Sequence, residues 1–558
     1  MKNFFTQLSI LLFACSSIFG QATLKEVELP EEKLYVHINN SLAFAGQYLY
    51  FKIYTLKNDP AELSNISKIA YLNIIDRNKE VVHRQVVDLE KGMGYGDYFI
   101  PVEFASGNYK IIAYTNWMKN NPGKKYFEQD LFIINPYTSA QSKIRKDSIV
   151  YAGFSELKNT ASGMLQLNSE YKNREEVHLD LSSLPEGNYS VSVRKLDSLP
   201  HPELEHAQGL DIRTAEKIKL SNTLDLPEAR GKLISGTIST QLNVPLKSLK
   251  LALSIPGKEY YLRIAHPDEN GKFFFSVDEN FDSRDAMIQV LDHHNEDFSI
   301  ALNDHQLPDL GELNFKDFGI DRSSARIILD HSVQNQIENA YFSLKPDTVQ
   351  VKDYKNVFDG VDRLDYDLDD YTRFKTLKET FVEVVTEIQV RKRDEEYEMR
   401  VLRLPPATTY KSNPLVLVDG IILKDLTDFI EYYDARRIDK ISIIRNNYFL
   451  GSAFFSSIVL FETFDSHFAE NFSGDPVTDL KITSGNQRKK YFQQKYPGES
   501  ENLPDYRTQL VWDPDLNSSE LSEIEFFTSD VDGYFEVSIQ GYSVDRSPVS
   551  ITEFFSVK

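Results

Sequence analysis

The stretch LYVHINNSLAFAGQYLYFKIYT, residues 34–55, contains two alternating runs separated by a loop. Gly46 stands where the chain must turn into the second run, Gln47 to Thr55. Successive side chains of a strand point to opposite faces, so apolar residues at every second place mark a half-buried strand rather than a helix. Residues 69–89 and 98–116 repeat the manner, and SGNYKIIAYT (106–115) reads as a strand entered through a glycine. Four or more such strands in one region predict a sandwich of antiparallel sheets. Period two dominates nearly everywhere else, so the fold class expected is mainly β, in tandem antiparallel β-sandwiches.

At 558 residues the chain exceeds one core, and a prior of roughly 100–200 residues per domain predicts several. Hydrophobic residues at 41% and aromatics at 12% supply those cores. A net charge of −22 argues against nucleic-acid binding, which needs a basic face, and against adhesion to an anionic membrane surface. Residues 1–22 read as a signal peptide, with Lys2, an apolar run from Leu8 to Phe19, and the small-residue exit Gly20-Gln21-Ala22. No later apolar run is longer, so no transmembrane segment is expected. The lone cysteine, Cys15, lies inside the leader. Phe13-Ala14-Cys15 allows a lipoprotein reading, against which the bulky Phe13 and the apolar residues beyond Cys15 count. Cleavage near Gln21 would leave no cysteine, and with it no disulfide, thiol catalysis or thiolate-held metal.

EKLYVHINNSLAFAGQYLYFKIY, GNYKIIAYTNWMKN and YFEQDLFIINP together resemble the macroglobulin-type domain of exported Bacteroidota proteins. Tyr35, His37, Gly46, Phe51, Lys52, Tyr54, Gly107, Tyr109, Tyr114, Trp117 and Met118 hold its signature places, with Ala45-Gly46 where Pro-Gly is usual. The resemblance implies a macroglobulin-type sandwich over 23–138. It also implies a second macroglobulin-like unit over 150–225, around MLQLNSEYKNREEVHLDLSSL and NYSVSVRKLDSL. Residues 227–310 resemble the carboxypeptidase regulatory-like domain, with Leu233 to Thr237 as opening strand and Asn270-Gly271 as a tight hairpin.

Residues 345–412 begin with an acidic stretch read as a solvated linker, which leads into a further unit. Leu377, Phe381, Val384 and Val385 form the stripe of one short helix, with Thr376 as cap and Glu379 as its capping-box partner. Strands follow at Ile388 to Arg391 and Glu396 to Leu402. In NPLVLVDGIILKDLTDF (413–429), Asp419-Gly420 joins two apolar runs as a two-residue hairpin. A helical turn over Asp428 to Tyr433, a strand from Ile438 to Ile443, a turn at Gly451 and a strand from Ile458 to Thr463 complete the pattern. Residues 413–465 resemble the plug domain of TonB-dependent, SusC-like receptors, which implies a small α+β unit. Pro414, Leu415, Val418, Asp419, Gly420, Ile438, Ile441, Ile443, Tyr448, Gly451, Ile458, Val459 and Thr463 match that pattern; Ser457 replaces a glycine. Only 95 residues follow Thr463, too few for a receptor barrel of about 22 strands. Residues 466–558 read instead as a C-terminal β-sandwich with hairpins at Asp532-Gly533 and Gly541.

Chemistry is sparse. Asp362, Asp365, Asp367, Asp369 and Asp370 invite a Ca²⁺ site but lack the glycine and closing Glu of an EF-hand loop. His293-His294, with Asp292 and Asp297, read as an exposed loop tip, because neighbours on a strand face apart. No catalytic triad, phosphate loop, H-E-x-x-H pair or cofactor fingerprint stands out, so no catalytic residue, metal or cofactor is assigned. The macroglobulin resemblance raises a protease trap, whose thioester needs a cysteine. The expectation is a non-enzymatic protein of the periplasm, outer membrane or cell surface. By resemblance it binds, gates or plugs a partner, an outer-membrane β-barrel transporter or secretion channel. A structural or adhesive surface protein, or an envelope peptidase or inhibitor, are the alternatives. The partner-binding candidates are Asp419, Gly420, Tyr448 and Gly451 on the hairpin and turn, and Trp117, which reads either as an exposed anchor or, with about twice the weight, as packing over the end of the first sandwich.

Overall fold

The computed structural model describes residues 28–57, 62–123, 125–138, 163–209, 218–219, 224–278, 284–291, 297–311, 313–316, 319–320, 322–350, 355–404, 409–466, 468, 478–482, 485, 487–496 and 503–558. The leader, Cys15 and the His293-His294 pair lie outside these residues.

The chain is mainly β, with antiparallel sheets predominating. In the first sandwich Tyr48–Lys57 lies between Glu32–Ile38 and Met93–Phe99. The facing sheet runs Leu42–Phe44, Phe127–Ile134, Gly107–Tyr114, Ile69–Ile75, Val81–Asp88. Gly46 supplies the expected turn, at φ +86°, a backbone region that costs glycine little.

The second sandwich corrects the sequence reading. Gly187–Lys195 pairs on one side with Gly533–Ser543 and on the other with Gln509–Asn517, while Glu176–Asp180 pairs with Glu523–Phe527. Residues 150–225 and 466–558 are therefore not two sandwiches; strands from both build one core, in which Val191 and Val193 pack with Val537 and Ile539. Neither glycine of the tail sits in a hairpin. Gly533 opens an eleven-residue strand, and Gly541 lies within it, where a Cβ would come within 2.5 Å of the Asn188 carbonyl oxygen.

The third sandwich occupies the span between these halves. Lys232–Thr240 lies between Lys272–Val277 and Phe298–Leu302, facing a sheet of Tyr261–Ala265, Leu251–Ile255 and Arg284–Val290. Thr478–Ile482 joins that sheet from outside the expected 227–310. The turn at Gly271 (φ +81°) is present, but it connects strands of opposite sheets.

The α+β unit follows. Its sheet runs Leu364–Asp367, Ile438–Ile444, Ile458–Thr463, Leu415–Val418, Ile421–Leu423, with one parallel pair between Leu415–Val418 and Ile458–Thr463. The acidic stretch is solvated, with Asp362, Asp365, Asp367, Asp369 and Asp370 all exposed, but it is not a linker, because Leu364–Asp367 forms the edge strand against Ile438–Ile444. Asp365 accepts from the Ser442 hydroxyl at 2.6 Å and pairs with Arg363 and Lys440.

Candidate functional site

Inside its edge strand Leu364–Asp367, the α+β sheet is buried on both faces, which explains the nearly unbroken apolar runs of Leu415–Val418, Ile421–Leu423 and Ile458–Thr463. Alternation along each strand sends Val416, Val418, Val459 and Phe461 to one side, where Leu377, Phe381, Phe429 and Ile430 of the helices Leu377–Glu383 and Thr427–Tyr432 cover them. Leu415, Leu417, Ile458 and Leu460 face the other way, against Ala252, Tyr260 and Leu262 of the third sandwich. The unit and that sandwich thus share a continuous core.

The Asp419-Gly420 turn sits at this junction. Both residues have positive φ, +48° and +86°, as a type I′ hairpin turn requires. The Asp419 side chain is 3% exposed and accepts three bonds: from the Thr463 amide (2.8 Å), the Thr463 hydroxyl (2.6 Å) and the Phe468 amide (3.3 Å). Burial raises its pKa, opposed by these bonds. The Gly257 amide donates to the Asp419 carbonyl at 3.0 Å. A Cβ on Gly420 would stand 2.3 Å from the Tyr260 Cβ. This pair was expected on an exposed, partner-binding hairpin; it faces the third sandwich instead, and its role is to fix one domain on another.

Tyr448 and Gly451 lie on a second hairpin, Tyr448–Leu450 paired with Ala453–Phe455. Tyr448 roots it: its hydroxyl donates to the Val357 carbonyl at 3.2 Å, and its ring lies 5.2 Å from Phe358. Gly451 is exposed and supplies positive φ (+59°) at the turn. Alternation then turns Phe449 and Phe454 outward, 70% and 52% exposed, as a cross-strand pair with ring centroids 5.2 Å apart. Sequence reading passed over both, because an outward Phe on a short strand carries the same signal as a core Phe. Tyr432 and Val382, 78% and 70% exposed, belong to the same unit.

Trp117 is not an anchor on the surface. It is 7% exposed, and its indole N–H donates to the Pro30 carbonyl at 2.9 Å, closing one end of the first sandwich.

Among the described residues, two groups of side chains bring three possible metal ligands within 4.8 Å of one another, His178 with Glu523 and Glu525, and Asp367 with Asp369 and Asp439. The first group is wholly exposed and the second nearly so, with nothing buried to fix their geometry.

No protein-family model matches the sequence, and no match to a curated protein is found. Among solved structures, the chain aligns with Salmonella alpha-2-macroglobulin reacted with methylamine at 10% identity, over 96% of this chain and 40% of that one, with a TM-score of 0.23. Trypsin-activated alpha-2-macroglobulin from Escherichia coli gives 10% identity, 96% and 42% coverage and a TM-score of 0.23. Dimeric latent PorU from Porphyromonas gingivalis gives 7% identity, 95% and 34% coverage and a TM-score of 0.14. The chain spans about two fifths of the length of the alpha-2-macroglobulins with which it aligns.

Proposed function

We propose that the protein is a non-enzymatic, exported envelope protein that binds an outer-membrane β-barrel channel through its plug-like unit, docking by a surface rather than by insertion. The observation that carries this reading is the outward Phe449–Phe454 pair on a hairpin whose inner side is packed in a core. Exposed aromatics on a rigid support are the residue type that anchors protein interfaces. Insertion of the plug-like sheet into a barrel is disfavoured by the burial of both its faces within the chain itself.

The test is an affinity pull-down from detergent-solubilised native envelopes, comparing the wild type with Phe449→Ser/Phe454→Ser. Recovery of a barrel protein with the wild type, lost in the variant at unchanged thermal stability, supports the proposal. Recovery of no barrel by either sinks it. Deleting the whole unit would confound the result, since it strips the cover from the third sandwich. The second reading, a structural or adhesive surface protein in which the unit is a packing module, draws on the continuous core between unit and sandwich. Glycan or host-protein binding by the chain, without a channel partner, would favour it.

A further inference from the structure

The first and second sandwiches and the helix Ala325–Ala340 line an open cavity of about 170 Å³. Tyr48 and Tyr50, two residues apart on one strand and so on one face, line it with Trp512 of the second sandwich and Phe342 beyond the helix. The four rings form a row. Phe342 and Tyr48 lie 5.6 Å apart at 16°, Tyr48 and Tyr50 6.0 Å at 24°, and Tyr50 and Trp512 5.9 Å at 28°.

Apart from Lys195, whose ammonium has no ion pair among the described residues, the charges that line the cavity are engaged within the protein. Arg194 pairs with Glu536 at 3.0 Å, Lys345 with Glu338 at 2.6 Å, Arg507 with Asp505 at 2.7 Å and His331 with Asp197 at 3.2 Å. Asp347 accepts from the Phe492 amide at 2.9 Å. The uncommitted groups on the aromatic row itself are neutral. Trp512 is 5% exposed, yet its indole N–H meets no acceptor among the described residues. A buried indole N–H normally has one. The hydroxyls of Tyr48 and Tyr50 have no hydrogen-bond partner among the described residues either.

We infer that this cavity binds a neutral sugar residue of a glycan. A pyranose offers what the lining lacks: a flat C–H face for the aromatic row, an oxygen acceptor for the Trp512 N–H, and hydroxyls that exchange hydrogen bonds with Tyr48 and Tyr50. An ionic ligand would find most of its counter-charges already paired.

The chain has two tryptophans, so Trp117→Phe leaves Trp512 as the only indole and its fluorescence reports on the cavity. That variant is titrated with neutral oligosaccharides built on glucose, galactose, mannose and N-acetylglucosamine. Calorimetry on the unmodified chain with the same panel repeats the measurement if the variant does not fold. A saturable response is expected with at least one member. By calorimetry, Trp512→Phe, which removes the indole N–H together with the reporting fluorophore, and Tyr50→Phe, which removes only a hydroxyl, each weaken binding about fivefold to tenfold, the worth of one hydrogen bond, and Tyr50→Phe does so at an unchanged thermal midpoint. No saturable response to any neutral glycan overturns the inference, as does binding that both variants leave unchanged. Saturation by an unstructured peptide mixture alone would make the cavity a peptide site and overturn it too.

Discussion

Asp419 holds Thr463 at two points, taking its amide proton on one carboxylate oxygen at 2.8 Å and its hydroxyl proton on the other at 2.6 Å. The residue that opens the hairpin thereby fixes the end of a strand 44 positions later. Asp419→Ala breaks these bonds and the one from Phe468, and puts alanine at positive φ. It is expected to cost about 2–4 kcal/mol by urea unfolding. Asp419→Asn, which keeps an acceptor and tolerates that backbone, costs about 1 kcal/mol. An alanine variant as stable as the wild type would show that the turn holds nothing.

Gly420 meets Tyr260 across the junction with the third sandwich, with no room for a methyl group. Gly420→Ala is expected to destabilise by about 2–4 kcal/mol, combining the clash with the positive φ. Tyr260→Gly in the same chain removes the clash, because the nearest atom is the Tyr260 Cβ itself. A double-mutant cycle should therefore return a coupling of about 1 kcal/mol or more. Additive effects would locate the strain in the turn alone.

What was readable in the sequence was local. The cap is there: the Glu379 amide donates to Thr376 Oγ1 at 3.3 Å, and Glu379 turns back toward the cap by accepting from the Thr376 hydroxyl at 2.8 Å rather than from its amide, with Leu377 and Phe381 buried. Such a cap is decided within four residues. Partnership between strands is not, since alternation tells which face a strand buries but not which strand it meets. Hence Gly187 opposite Ser543, which makes one sandwich of two distant segments, left no local trace. The helix Ala325–Ala340 was equally silent, because its buried residues, His331, Ser332 and Asn335, are polar and give no apolar stripe. The candidate surface was half legible: its Gly451 turn has a signal, whereas the outward aim of Phe449 depends on what the hairpin packs against.

Asp505 and Arg507 form a buried pair, 1% and 9% exposed, through two bonds of 2.7 Å. Burial opposes the charge on Asp505, but Arg507 outweighs it and draws the carboxyl down to about 2. The stabilisation is thus present above the ordinary value of 3.8 and is lost as pH falls toward 2. Arg507→Ala leaves the carboxylate with Lys345 at 3.4 Å as its nearest cation and is expected to cost about 3 kcal/mol at neutral pH. Asp505→Ala/Arg507→Ala should cost clearly less than the sum of the single changes. Urea unfolding of the set decides it, and strict additivity would mean the two charges do not depend on each other.

His37 and Lys52 lie between the first and second sandwiches, where His37 Nδ1 is 2.7 Å from the Ser190 hydroxyl and the Lys52 ammonium donates to the Tyr189 carbonyl at 3.2 Å. Burial, helped by His206, Lys52 and Arg194, lowers His37 from 6.5 to about 3. Burial also lowers Lys52 from 10.5 to about 7, with Asp515 and Asp513 pulling the other way. Below its ordinary pKa each group takes its proton first in the unfolded chain, so both contributions are lost as pH falls, for His37 from 6.5 toward 3 and for Lys52 from 10.5 toward 7. One proton gives about 1.4 kcal/mol per pH unit. The wild type should therefore lose about 2 kcal/mol relative to His37→Gln between pH 6.5 and about pH 5. Lys52→Met should flatten the stability profile between about pH 8 and pH 10 while leaving the acid limb in place. Urea unfolding across pH reads both effects. Parallel profiles for the wild type and His37→Gln would mean that the junction opens enough for the imidazole to take its proton in the folded state.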